Sequence, residues 1–213
     1  MQIAATYDRS VFINCPFDER YKNFLHATLF AIHDCGFVAR IALEDVGGRE
    51  ARLTKICRLI QQSRWSIHDL SRVQSSGKAS LPRFNMPFEC GLAYGAMTFG
   101  PQGRKRRDML VMAAVPFQDK ATLSDLSGID PSYHEDSIPK LVAAVRRFLA
   151  AKSLAGTVRG AAAINRRLLQ FEERLPHAVK VVSNSVSYKE IESFDYLNDW
   201  IHLATSWMVA NPD

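Results

Sequence analysis

The sequence lacks the features that define several large classes of protein. No apolar run approaches the roughly 18 residues of a membrane-spanning helix, and no basic-then-apolar leader precedes the first apolar segment. The four cysteines include no CxxC pair, which argues against a disulfide framework and against a zinc site. These absences predict a cytoplasmic protein with reduced thiols, no membrane partner and no bound metal.

Glycine-rich phosphate loops are missing as well. Neither GxGxxG nor GxxxxGK followed by Ser or Thr occurs in the chain. The one basic run, 104–107, has no interleaved aromatic residues on which bases could stack, so the sequence does not predict a nucleic-acid partner. Residues 1–152 nevertheless hold 21 Lys and Arg against 15 Asp and Glu, a net charge of +6, whereas residues 153–213 hold 6 against 7. A basic first segment suits a small anionic ligand such as a nucleotide.

Short apolar runs alternate with helical patterns through most of the chain. Runs at 11–15, 37–43, 65–70 and 109–115 predict buried strands, and apolar residues at helical spacing follow each of them. We therefore predict an α/β fold for residues 1–152: a Rossmann-like, flavodoxin-like open sheet of four to five mostly parallel strands with helices on both faces. Residues 153–213 predict a helical C-terminal extension, in which Trp200 and Trp207 pack onto the sheet domain or onto a second subunit.

Two carboxylates mark the expected ligand site. Ligands of open parallel sheets bind beyond the carboxyl ends of the strands. Asp69 ends the third predicted strand, and Glu89 is expected in the first turn of the next helix, so both side chains should face one crevice. His68 precedes Asp69 and should point to the opposite face, so a His–Asp pair acting on one substrate is not expected. The candidate substrate-binding residues at this edge are Asn14, Cys15, Phe17, Arg52, Arg72 and Asn85, with Arg83 as a further candidate for phosphate or ribose.

The position of Glu89 suggests a chemical role. The dipole of a helix N-terminus favours an ionised carboxylate and opposes the rise in pKa that burial causes. A fixed carboxylate could stabilise or attack the electron-poor sugar carbon that forms when a glycosidic bond breaks. The alternatives are structural: Glu89 as a first-turn charge paired with an arginine, Asp69 as the cap of the loop that follows it, and Cys15 as a buried thiol rather than a nucleophile.

The strand 65–70 and the segment NMPFECGLAYGA (85–96) resemble the nucleoside 2-deoxyribosyltransferase family and the related TIR-type NAD-cleaving domains. The family glutamate precedes an aliphatic residue, Gly, any residue and Ala, and Glu89 to Ala93 match this string with Cys90 at the aliphatic position. FINCPF (12–17) resembles the first strand and substrate-facing loop of the family. The resemblance covers roughly residues 11–115. It implies that Glu89 is catalytic and that Asp69 orients the base or the ribose hydroxyls.

The resemblance also implies a function. We expect cleavage or transfer at an N-glycosidic bond of a nucleotide, first of all NAD hydrolysis in a bacterial antiviral-defence effector that works as a homo-oligomer. NAD would be the substrate, and no cofactor is expected. The alternatives are a nucleoside 2-deoxyribosyltransferase, a non-catalytic sensor of a nucleotide signal whose helical tail mediates assembly or partner binding, and a purely structural adaptor.

Overall fold

The computed structural model describes residues 6–44, 50–73, 83–100, 106–116, 130–153, 156–182 and 186–212. Five strands and seven helices are present in these residues. The strands are β1 (Ser10–Asn14), β2 (Val38–Ile41), β3 (Trp65–Asp69), β4 (Asp108–Ala113) and β5 (Ser132–Tyr133). The helices are α1 (Lys22–Asp34), α2 (Arg52–Gln62), α3 (Asn85–Thr98), α4 (Ile138–Ala150), α5 (Ala161–Val182), α6 (Tyr188–Ile191) and α7 (Leu197–Ala210), with a 3-10 turn at Phe194–Tyr196.

The strands form one parallel sheet in the order β2-β1-β3-β4-β5. This is the flavodoxin-like order, in which the direction of winding reverses between β1 and β3. The predicted α/β fold class is therefore confirmed. At the switch point Asn14 of β1 lies in register with His68 of β3, so the carboxyl ends of these two strands meet where ligands of such sheets bind.

Helices cover both faces of the sheet because β1 alternates its side chains between two apolar cores. Val11 and Ile13 belong to the cluster that contains α1 and α4, whereas Phe12 packs with residues of α2 and α3 such as Leu59 and Ala93. Every residue of β1 and of β3 is buried. This two-sided burial explains the apolar run Val11–Ile13 in the middle of β1, whereas the polar residues of β3, such as His68 and Asp69, are buried with hydrogen-bond partners.

The C-terminal helices pack against α1 and join its core. Trp200 of α7 is 1% exposed and stacks on His26 of α1, with ring centroids 4.3 Å apart. Trp207 lies 6.1 Å from Phe30, also by ring centroids. The prediction that these tryptophans pack onto the sheet domain is confirmed. Residues on both sides of the predicted boundary at 152/153 belong to one hydrophobic cluster.

Two local predictions differ from the structure. The segment 124–136 predicts a short helix and loop; its first residues lie outside the described ranges, and Ser132–Tyr133 form the edge strand β5. Apolar spacing predicts one helix over about 188–208, and the structure divides this segment into α6, the 3-10 turn and α7. The described part of the chain contains no helix with the length and apolar character of a membrane span.

Candidate functional site

A cavity of about 360 Å³ lies at the carboxyl end of β1. It is formed by the residues that follow β1, by the start of α2 and by the start of α3. Its volume is within the range of small-molecule sites. Seven of the nine predicted site residues line this cavity, the further candidate Arg83 among them, and Asp69 and Arg72 do not. The complete lining is Asn14, Cys15, Pro16, Phe17, Arg52, Arg83, Phe84, Asn85, Met86 and Glu89.

Glu89 is the acidic residue of the cavity. It is 5% exposed, and burial raises the pKa of its carboxyl group, while the positive charge of Arg52 partly offsets that rise. The Arg52 Nη2 atom lies 3.8 Å from Glu89 Oε1. A carboxyl group with a raised pKa and a single distant ion-pair partner can exchange its proton or respond to charge on a ligand.

The prediction that Glu89 lies in the first turn of its helix is wrong. Helix α3 begins at Asn85 and has no acidic residue in its first turn, so Glu89 is its fifth residue. Pro87 does not delay the start of α3, because the first N–H groups of a helix have no intrahelical partner and a proline loses nothing there. Arg52, and not the helix terminus, is therefore the positive charge that favours ionised Glu89.

Two arginines bring positive charge to the cavity. Arg52 is the first residue of α2, and its side chain is 57% exposed. Arg83 precedes α3 and donates from Nη1 to Asp18 Oδ2 over 2.8 Å. Both arginines line the cavity, and guanidinium groups suit an anionic group of a ligand.

Asn14 is held in one orientation at the base of the cavity. Its Nδ2 donates to the carbonyl oxygen of Met86 over 2.7 Å and lies 3.1 Å from Nδ1 of His68. Because a carbonyl oxygen only accepts, the amide nitrogen must face Met86, and His68 Nδ1 is then an acceptor with its ring proton on Nε2. Burial lowers the pKa of His68 to about 3, which keeps the ring neutral. Asn14 therefore keeps Oδ1 as the acceptor it can offer to a ligand.

Asp69 is fixed inside a buried polar network beside the cavity. Its Oδ2 accepts a hydrogen bond from the Tyr21 hydroxyl over 2.6 Å and lies 3.1 Å from His134 Nε2. Its Oδ1 accepts from the backbone N–H of Ser71 over 2.9 Å and from the Ser71 hydroxyl. Burial alone would raise the pKa of Asp69, but the hydrogen bond and charge of His134, and the bonds from Ser71 and Tyr21, lower it below its ordinary value.

The bond from the Ser71 N–H confirms the alternative in which Asp69 caps the loop that follows β3. The network as a whole does more than the sequence predicts. It ties the carboxyl end of β3 to α1 through Tyr21 and to the residue after β5 through His134. The carboxylate is 1% exposed, with Tyr21, Ser71 and His134 in contact with its oxygens. Its predicted contact with a base or a ribose hydroxyl stays a prediction.

Cys15 lines the cavity as a protonated thiol. Burial raises its pKa well above the ordinary value, and the negative charges of Asp69, Glu89 and Asp18 raise it further. A thiol is nucleophilic only when it is ionised. The predicted place of Cys15 at the site agrees with the structure, and its high pKa argues for a wall of the cavity and not for a nucleophile.

Sequence reasoning missed Tyr21, Ser71 and His134 as partners of Asp69. Tyr21 fits the apolar spacing of α1 and lies 48 residues from Asp69, so no local pattern reveals its hydroxyl as a hydrogen-bond donor. Phe84 and Met86 were also missed as lining residues, although Asn85 between them was predicted.

No protein-family model, curated protein or solved structure matches this chain. In the described residues, no three His, Cys, Asp or Glu side chains are grouped as they would be around a metal ion. The family resemblance stays a prediction.

Proposed function

We propose that the protein is an enzyme that cleaves an N-glycosidic bond of a nucleotide, with NAD as the favoured substrate and Glu89 as the catalytic carboxylate. One observation carries this proposal: a buried carboxyl group with a raised pKa lies in a cavity of about 360 Å³, with an arginine 3.8 Å away, at the carboxyl end of a parallel sheet. Groups with shifted pKa values are concentrated at functional sites, and ligands of parallel sheets bind beyond the carboxyl ends of the strands.

In the proposed reaction the bond between C1′ of the ribose and the nitrogen of the base breaks, and its electron pair leaves with the base. The ribose carbon becomes electron-poor, and ionised Glu89 stabilises it by charge or forms an ester with it. Water then supplies the new C1′–O bond and loses a proton, which gives hydrolysis. Attack by a second base at the same carbon would give transfer.

The presence of a single carboxylic acid among the described lining residues favours NAD over an ordinary nucleoside as the substrate. The nicotinamide nitrogen of NAD carries a positive charge, so nicotinamide leaves as a neutral molecule without taking up a proton. The base of an ordinary nucleoside leaves as an anion unless a second acid protonates it. Among the described residues that line the cavity, Glu89 is the one carboxylic acid, and no histidine or tyrosine accompanies it.

The two arginines and the aromatic walls suit the rest of such a substrate. Arg52 and Arg83 can bind the oxygens of a diphosphate. Phe17 and Phe84 offer apolar surface to a ribose or a base. From the resemblance alone we also propose homo-oligomeric assembly and a role in bacterial antiviral defence.

The experiment is a chromatographic assay of base release from NAD, NADP, nucleosides and deoxynucleotides at high protein concentration. We expect wild type to release nicotinamide from NAD, and Glu89→Gln to retain NAD binding while turnover falls by on the order of 10³-fold, the scale of one important transition-state contact. The matched control is Glu172→Gln, because burial also raises the pKa of Glu172 in α5, away from the cavity. Equal loss in both variants, or base release that Glu89→Gln leaves unchanged, would contradict the proposal.

A second candidate is a sensor that binds a nucleotide signal without cutting it. The bonds of Asp69 to Tyr21, Ser71 and His134 favour this candidate. They leave Glu89 as the one carboxylate among the described residues that line the cavity, and binding a nucleotide needs no second reactive group. A sensor predicts that NAD or another nucleotide raises the Tm of wild type and of Glu89→Gln equally, with no base released by either.

A further inference from the structure

A second cavity, of about 420 Å³, lies between the edge strand β2 and helix α7. It shares no lining residue with the cavity that contains Glu89. Val38 and Ala39 of β2 line one side, and Ile201, Thr205 and Met208 of α7 line the other. Its volume is within the range of small-molecule sites, and nothing in the proposed reaction uses it.

The strand β2 presents unpaired backbone groups to this cavity. It is the outer strand of the sheet and pairs only with β1. The N–H of Val38 donates to the carbonyl of Arg9 on the β1 side, so the N–H and C=O of the next residue, Ala39, point to the outer side. Within the described ranges no hydrogen bond reaches the backbone of Ala39 from that side. The cavity therefore contains one adjacent donor and acceptor.

The same edge is closed to an added peptide strand. The next outward-facing donor, the N–H of Ile41, is bound by Glu44 Oε2 over 3.2 Å. Asn198 of α7 then donates to the carbonyl of Glu44 over 3.0 Å, which joins the helix to the end of the edge. Pairing with a strand needs a row of free backbone groups. Of the two outward-facing N–H groups of β2, those of Ala39 and Ile41, only that of Ala39 has no partner among the described residues. The site fits a small molecule.

The walls and charges of the cavity indicate a neutral ligand. Ile201, Met208 and Val209 provide an apolar side. The charged residues of the lining are paired within the protein. Asp34 Oδ1 lies 3.1 Å from Arg167 Nε and 3.5 Å from Arg159 Nη1, and the Glu44 carboxylate lies 2.7 Å from Arg40 Nη2. Because these side chains form ion pairs with each other or with neighbouring residues, the cavity favours a neutral ligand.

We infer that this cavity binds a neutral planar molecule with an adjacent hydrogen-bond acceptor and donor, which pair with the N–H and C=O of Ala39. A primary carboxamide, as in nicotinamide, and the amino-and-ring-nitrogen edge of a nucleobase share this chemistry. The inference does not depend on the proposed function. The free base that the proposed reaction would release belongs to the same chemical class, and that link alone rests on the proposed function.

The test is isothermal titration of the full chain with nicotinamide and with adenine as probes. N,N-diethylnicotinamide serves as a matched control probe, since it keeps the ring and the carbonyl but lacks the N–H donor. We expect nicotinamide or adenine to bind. If nicotinamide binds, the diethyl compound should bind at least tenfold more weakly, because it has no N–H to donate to the C=O of Ala39.

Two variants locate the binding. Thr205→Trp fills the cavity from α7, and Ala39→Pro removes the outward N–H at an edge position where proline is tolerated. Each should weaken binding of the probe at least tenfold. Val181→Trp, at a position 71% exposed on α5, is the control for adding a tryptophan, and it and Glu89→Gln should bind as wild type does.

Failure of both probes to bind overturns the inference. If the probe binds Thr205→Trp as tightly as wild type, it lies elsewhere and the inference is wrong. If Glu89→Gln abolishes binding, the probe lies in the first cavity and the inference is also wrong. Circular dichroism shows whether Ala39→Pro folds. If it does not, Thr205→Trp alone tests the location of the probe. The role of the N–H donor is then tested with the diethyl compound or, where adenine is the probe, with N6,N6-dimethyladenine.

Discussion

Glu89 and Asp69 are two buried carboxylic acids near one edge of the sheet, and their surroundings differ in kind. Glu89 is 5% exposed, lines a cavity and has one ion-pair contact at 3.8 Å. Asp69 is 1% exposed and is bound by Tyr21, Ser71 and His134. Burial raises the pKa of Glu89, whereas hydrogen bonds overcome burial and lower the pKa of Asp69.

This difference shows that burial alone does not identify a reactive carboxylate. A group whose acceptor positions are filled by protein donors is stabilised as an anion and holds the fold together. A buried carboxylate without such donors has free acceptor positions, which can bind a ligand or a proton. On this basis we propose Glu89 as the reactive residue, whereas the hydrogen bonds of Asp69 fix the end of β3.

The largest expected effect on stability is that of Asp69→Ala. Removing one partner of a buried ionic network leaves the others unsatisfied, so we expect the free energy of unfolding to fall by about 3–5 kcal/mol. Urea unfolding measures this change, and Asp130→Ala, at an exposed position, should stay within about 0.5 kcal/mol of wild type. A small loss for Asp69→Ala would mean that the network is not structural.

Tyr21→Phe should give the next largest effect. It removes one buried hydrogen bond to a charged acceptor, which contributes about 1.5–3 kcal/mol. Tyr188→Phe is the matched control, because the Tyr188 hydroxyl also donates to a carboxylate, that of Glu192, but at an exposed site. Equal losses of unfolding free energy in the two variants would contradict the special weight given to the Asp69 network.

His68 should make the protein less stable in acid. Its folded pKa of about 3 lies below the unfolded value of about 6.5, so between these values the unfolded chain binds the extra proton and stability falls as the pH falls. From this residue alone we expect a loss of about 2 kcal/mol between pH 8 and pH 5. Urea midpoints across this range test it, and His68→Gln should show a shallower fall. An equally steep fall would remove His68 as a cause.

Arg52→Gln tests the origin of the Glu89 pKa and has the smallest expected effect. Arg52 lowers a pKa that burial raises, so its removal should move the acid limb of kcat/KM to higher pH. In wild type, the apparent pKa of this acid limb should already lie above the ordinary glutamate pKa of about 4.3. The pH dependence of base release measures both; a limb that moves to lower pH in Arg52→Gln would contradict the assignment of Glu89 as the ionised group.

The sequence predicts the sheet and much of the candidate site for one physical reason: both depend on local patterns. Buried strands such as 11–15 are apolar runs, and the residues that follow them must meet at one edge of a parallel sheet. Asn14, Phe17 and Arg52 could therefore be placed near Glu89 before any coordinates were known. The start of α3 was misplaced because its N-cap, Phe84, makes no side-chain capping bond that a sequence could reveal.

The Asp69 network and the cavity beside β2 depend on contacts between residues that are distant in the sequence. Asp69 and Glu89 look alike in sequence, and only the approach of Tyr21 and His134 distinguishes them. The cavity beside β2 likewise needs α7, which begins more than 150 residues later in the chain, to pack against the edge strand. No local pattern encodes either event.

The most direct test of the account compares Glu89→Gln and Asp69→Asn in one experiment, with base release from NAD normalised to the folded fraction of each protein. The account predicts that Glu89→Gln unfolds at a Tm close to that of wild type and loses turnover by on the order of 10³-fold. It predicts that Asp69→Asn unfolds at a lower Tm, while its folded fraction keeps most of the activity. The reverse result, with Asp69→Asn stable but inactive and Glu89→Gln active, would contradict the central claim.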